Sequence, residues 1–181
     1  EGSAQQGRRN LPGPDYIATA ARSVIARRGW TGMSRIRIRE ASWPADRTSL
    51  EAVRSAVFIQ EQNVPRALEF DGLDAAALHW LALSFEEQPV GTLRLLPTGQ
   101  IGRMAVLPAY RGQGIASRLL RHAIAAAEGH GWEEVWLNAQ YARRGFYATH
   151  GFIVISDVFE DAGMPHQRML RRLYRPVAVA V

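Results

Sequence analysis

The sequence predicts an α/β fold in which a mixed sheet carries helices on both faces. Three observations predict it. Arg35-Ile36-Arg37-Ile38-Arg39 alternates strictly, and the apolar segments 78–85, 90–96 and 101–107 follow one another at strand length. Residues 114–128 place Ile115/Ala116, Leu119/Leu120, Ala123/Ile124 and Ala127 at three- to four-residue intervals, the period of an amphipathic helix. A run of strands followed by strand–helix–strand units stacks helices against such a sheet.

Each element has its own local reason. Residues 15–30 predict an amphipathic helix with Ile17, Ala20, Ala21, Val24 and Ile25 on one face. The first strand follows at 35–39. Thr48-Ser49-Leu50-Glu51 fits a capping box, opening a helix whose apolar face runs Leu50, Val53, Val57 towards Gln62. Glu86-Glu87-Gln88-Pro89 reads as the hairpin turn between the next two strands, and Pro108 ends the third. Gly129 and Gly131 close the 114–128 helix. A strand at 134–137, a helix at 141–150 stopped by Gly151, and a closing hairpin of 152–156 and 167–173 complete the order.

The chain has 181 residues, 47% of them hydrophobic and 22% charged, enough for one well-cored domain. Three regions are expected: an extension at 1–33 (linker or tag remnant plus the amphipathic helix), a domain at 34–174 and a tail at 175–181. Met33 is a plausible start for the domain. The absence of cysteine excludes disulfides, thiolate metal ligands and a cysteine nucleophile. No metal-ligand spacing stands out. All basic residues are arginine, so no lysine can act as base or Schiff-base former. No apolar run has membrane-span length and no secretory core is present, so a cytoplasmic protein is expected. The net charge of +5 comes mostly from six arginines before residue 36, set against Glu1 and Asp15. The remainder is nearly neutral, which disfavours a nucleic-acid partner.

Arg111-Gly112-Gln113-Gly114-Ile115-Ala116 joins a strand to a helix. Its glycines let the backbone turn tightly and approach a ligand. The first helix amides have no internal partner and carry roughly half a positive charge, so together they suit a diphosphate. Arg111 adds a cation at the rim.

The stretch from Ile101 through Ala116 closely resembles the core acetyl-CoA motif of the GCN5-related N-acetyltransferases (GNAT). Phe146-Tyr147-x-x-His150-Gly151-Phe152 resembles that family's C-terminal signature. The segments Phe58-Ile59-Gln60-Glu61-Gln62-Asn63-Val64-Pro65, Glu69-Phe70-Asp71-Gly72-Leu73-Asp74 with His79, Ala139-Gln140-Tyr141, and Gly163-Met164-Pro165-His166 through Met169 are similar to the ElaA-like branch. The resemblance implies the GNAT acyl-CoA N-acyltransferase fold, with a central, mostly antiparallel sheet.

It also implies transfer of the acetyl group of acetyl-CoA to a primary amine of a small molecule or peptide by direct attack. No metal is needed, and a homodimer fits the family habit. An acyl-CoA-binding sensor or scaffold with little turnover is the alternative. In the enzyme, the backbone of Met104, Ala105 and Val106 would hold the pantetheine arm. Arg111, Gly112, Gln113, Gly114, Ile115, Ala116 and Ser117 would take the pyrophosphate. Asn138, Tyr141 and Phe146 would contact the cofactor arm, although Asn138 stands where this branch usually has histidine. Tyr147 matches the family's general acid. Glu61 and His79, with Glu69 and Asp71 behind them, are the expected base, directly or through water.

Overall fold

The computed structural model describes residues 36–173. The extension, its expected helix, Arg35 and the tail lie outside the described residues. The chain runs β1 (Arg37–Ala41), α1 (Arg47–Arg54), a π-helical turn (Ser55–Glu61), α2 (Arg66–Glu69), β2 (Leu78–Leu83), β3 (Pro89–Leu95), β4 (Ile101–Val106) and α3 (Ile115–Gly129). It continues through β5 (Glu134–Gln140), α4 (Arg144–Ala148), β6 (Ile153–Val154), β7 (Phe159–Asp161) and β8 (Met164–Arg172).

The strands form two sheets whose ladders are antiparallel. One is ordered β1-β2-β3-β4; the other is ordered β5-β8-β6, with β7 also pairing β8. β4 and β5 are therefore edge strands that face each other. A single parallel bridge, Gln100 to Trp136, ties them at one end. The tie is reinforced where the Trp136 amide donates to the Gly99 carbonyl (3.0 Å) and its indole to Thr98 (3.1 Å).

Burial on both faces explains why β2 reads as a continuous apolar run rather than an alternating one. Trp80 and Ala82 face the core under α3, with Leu119, Leu120, Ala123 and Ile124. Leu81 and Leu83 face the other way, against Leu50 of α1. Val53 and Val57 continue that second layer onto Ala105.

Several local expectations need correction. No side chain caps α1: Thr48 and Glu51 lie inside the helix, where Glu51 pairs with Arg47 one turn away (2.7 Å). The expected 141–150 helix is a 3₁₀ turn, Tyr141–Arg143, followed by the short α4. β5 continues three residues beyond 137 because β8 pairs with it as far as Gln140 opposite His166. The closing hairpin is longer than expected, since β8 begins at Met164 and also pairs with β7. Neither β7 nor α2 has enough apolar periodicity to be read from sequence.

Candidate active site

Where β4 and β5 part, they open a cleft of about 580 Å³, within the range typical of small-molecule sites. Its floor is β4. Thr92 pairs with Ala105 and Arg94 with Gly102, so β4 carries one extra residue across from Leu93. Arg103 sits at that bulge with φ +49°. A bulge leaves backbone groups outside the ladder, here on a strand whose residues from Ile101 to Val106 line the cleft.

At one end, the chain leaves β4 through the 3₁₀ turn Pro108–Tyr110 and enters α3 through Gly112 (φ +77°) and Gly114 (φ +73°). Gly114 is the N-cap residue and offers no side chain to cap the first amides of α3. The Arg111 guanidinium is fixed by Nε donating to the Val106 carbonyl (2.9 Å). Its terminal nitrogens donate to both oxygens of Glu61, at 2.7 and 2.6 Å.

Glu61 ends the π-helical turn. The wide winding shows in the Gln62 amide reaching back to Val57 (3.2 Å), five residues away. It brings Val57, Phe58, Glu61 and Gln62 onto one cleft wall. Gln62 accepts from Gln140 of β5 (3.0 Å), which anchors this wall to the opposite sheet. The Glu61 carboxyl is held below its ordinary value chiefly by the hydrogen bonds from Arg111, and Arg143 adds to the effect.

Beside the cleft lies a charge network whose arginines, Arg54, Arg94 and Arg103, sequence reading did not single out. Arg54 donates to Glu69 (2.5 Å) and Asp74 (2.7 Å), both buried. Arg94 grips Asp71 through two bonds of 2.7 Å and reaches Asp74 at 3.0 Å. Arg103 bridges Glu69 (3.1 Å) and Asp71 (2.9 Å). Burial would raise the Asp71 carboxyl, but hydrogen bonds from Arg94 and the Leu73 amide overcome it and drive the group well below the carboxylate range. Glu69 goes the other way: burial raises it despite Arg103 and Arg54. Glu69 is also a cleft-lining residue. The available signal was Arg94, a charge inside the apolar run of β3.

The remaining expected site residues divide. Met104, Ala105, Val106, Arg111, Gly112, Gly114, Ile115, Ala116, Ser117, Asn138, Phe146, Tyr147 and Glu61 line the cleft. Asn138 accepts from Arg168 of β8 (3.2 Å). Tyr147, half-buried, packs edge-on against Phe146 and Phe152, at 5.1 and 6.1 Å between ring centres. Desolvation pushes its phenol up to about 12.

Three residues stand elsewhere. Gln113 is not part of the lining. Tyr141 is exposed beneath the Arg144 guanidinium (3.5 Å to the ring centre). His79 is buried in β2 outside the cleft, stacked on Trp43, with Nε2 donating to the Asp74 carbonyl (2.8 Å). Burial lowers its pKa and so favours the neutral ring. His79 thus touches the network through the Asp74 backbone and does not line the cleft. His166, by contrast, does line the cleft. Among the described residues, no cluster of His, Asp and Glu could hold a metal ion, and no helix is long and apolar enough to cross a membrane.

Comparison with known proteins places this geometry. Residues 44–173 match the family model described as acetyltransferase (GNAT) domain. YjcF of Bacillus subtilis, described as an uncharacterized N-acetyltransferase, is 36% identical over 123 residues, covering 66% of this chain and 87% of YjcF. The crystal structure of Escherichia coli ElaA superposes with a TM-score of 0.67 at 29% identity, over 75% of this chain and 99% of ElaA. An acyl-CoA N-acyltransferase from Pseudomonas aeruginosa matches with a TM-score of 0.67 at 31% identity, again over 75% and 99%.

Proposed function

The chain belongs to the GNAT acetyltransferase family, in its ElaA-like branch, and from that premise we propose that it transfers the acetyl group of acetyl-CoA to a primary amine of a small molecule or peptide. The observation that carries this reading is the uncapped N-terminus of α3 behind Gly112 and Gly114, opening into the same cleft as the bulged β4. The helix amides suit the pyrophosphate, and the free backbone of β4 suits the amide-bearing pantetheine arm.

Within that frame, Tyr147, which lines the cleft, would act on the leaving sulfur. A phenol near 12 stays protonated at neutral pH, but it is a weaker acid than a thiol of about 8.5. It therefore stabilises the departing thiolate as a hydrogen-bond donor, and full proton transfer completes only as the amine sheds its own proton. For that proton, Glu69 is better suited than Glu61. Glu69 is the cleft-lining carboxylate with a raised pKa, while Arg111 keeps Glu61 ionised and weakly basic. Both Glu69 oxygens hold arginines, yet a carboxylate has lone pairs enough to accept a bridging water.

Calorimetric titration with acetyl-CoA tests the cofactor assignment. Binding in the micromolar range is expected, on the order of −8 kcal/mol. Gly114 lines the cleft and a Cβ there would meet nothing within 4 Å, so a side chain would take up room at the mouth of the phosphate loop and, at φ +73°, strain the turn. Gly114→Val should abolish binding while a thermal melt shows the protein still folded. Undiminished binding in that variant overturns the assignment.

A further inference from the structure

We propose that the Glu61 carboxylate is an internal competitor for the cofactor's pyrophosphate, occupying Arg111 until the phosphates displace it into the mouth of the cleft. The inference rests on the acyl-CoA reading of the cleft and adds an exchange of anions to it. Arg111 has every nitrogen engaged, Nε on Val106 and both terminal nitrogens on Glu61. The two residues are 50 positions apart and both line the cleft, so the contact is a long-range clasp and not a local helix pair. A planar, two-bond grip on a carboxylate is the same geometry with which arginine grips a phosphate.

The clasp is built to open. Its side chains are 40% and 38% exposed, so the pair is weak enough for a diphosphate, favoured also by the α3 dipole, to replace it. The wall need not move with the carboxylate, because Gln62 stays tied to Gln140. Two arginine fields act on Glu61, those of Arg111 and Arg143. Arg143 lines the same cleft and makes no ion pair with a described residue, so it can accept the displaced carboxylate.

Titration calorimetry of the full chain with CoA, in wild type, Glu61→Gln, Arg111→Gln and the double variant, tests the clasp. Glu61→Gln should bind CoA about twofold to fivefold more tightly, as expected for loss of an exposed competing pair. The gain should vanish when Arg111 is already Gln, which a double-mutant cycle reads directly. Wild-type CoA binding with no gain in Glu61→Gln overturns the clasp alone, as does a gain that persists without Arg111. No CoA binding by either protein overturns the acyl-CoA reading, and the clasp falls with it.

Discussion

At the scale of single residues, chemistry in the cleft depends on which protons are held and which are released. Tyr147 is the clearest case, because desolvation keeps its phenol protonated far above neutral pH. Tyr147→Phe should lower kcat about a hundredfold, the low end for removing one hydrogen-bond donor to a developing anion, with CoA affinity nearly unchanged in the same titration. The alkaline side of the pH–rate profile should show no fall from loss of this proton until about pH 11, so the variant lowers the plateau without shifting that limb. An equal loss of binding and turnover would make Tyr147 a packing residue. Its position could be read from sequence through the Phe146–Phe152 signature. The state of Glu61 could not, because a carboxylate 50 positions from its arginine leaves no local pattern. The setting of His79 was hidden for a related reason: a histidine in an apolar strand looks the same in sequence whether it faces a substrate or a backbone carbonyl.

At the scale of elements, α1 and α3 followed from apolar periodicity, β1 from alternation, and β2, β3 and β4 from their apolar runs. What could not be read was how α1 meets the sheet through charge. Arg54, the last residue of α1, is buried, with Glu69 and Asp74 as partners drawn from α2 and the 3₁₀ turn Asp74–Ala76. Those segments are three and four residues long, too short to show a period. Arg54→Met removes the cation and leaves two buried carboxylates with weaker support. Denaturant unfolding should show a loss of about 3–5 kcal/mol, the cost of breaking a buried pair from one side. A loss below about 1 kcal/mol would place the network's stabilisation in Arg94 and Arg103 alone. The π-helical turn was equally hidden, since i→i+5 bonding leaves the residue types of an ordinary helix in place. It is nevertheless what carries Glu61 and Gln62 to the cleft.

At the scale of the whole molecule, two antiparallel sheets meet at one corner. Gly99 occupies it with φ +80°, and a Cβ there would stand 3.1 Å from the Glu134 carbonyl oxygen. Gly99→Ala should destabilise the fold by about 1–3 kcal/mol through left-handed strain and that collision. It should also weaken CoA binding, because the angle between β4 and β5 sets the cleft. Melting curves and titrations on one sample check both, and unchanged values for both would dismiss the corner as a fixed joint. The family resemblance conveyed the architecture from sequence; the corner itself is a contact between a turn and a distant strand, which no periodicity encodes.

The facing edges of β4 and β5 have a consequence for handling as well as for catalysis. Away from the Gln100–Trp136 bridge, each presents backbone donors and acceptors without a neighbouring strand, the kind of template that recruits strands from other molecules. A cofactor lying between them would act as a chaperone for those edges. Stocks kept with CoA should stay monodisperse longer than stocks kept without it.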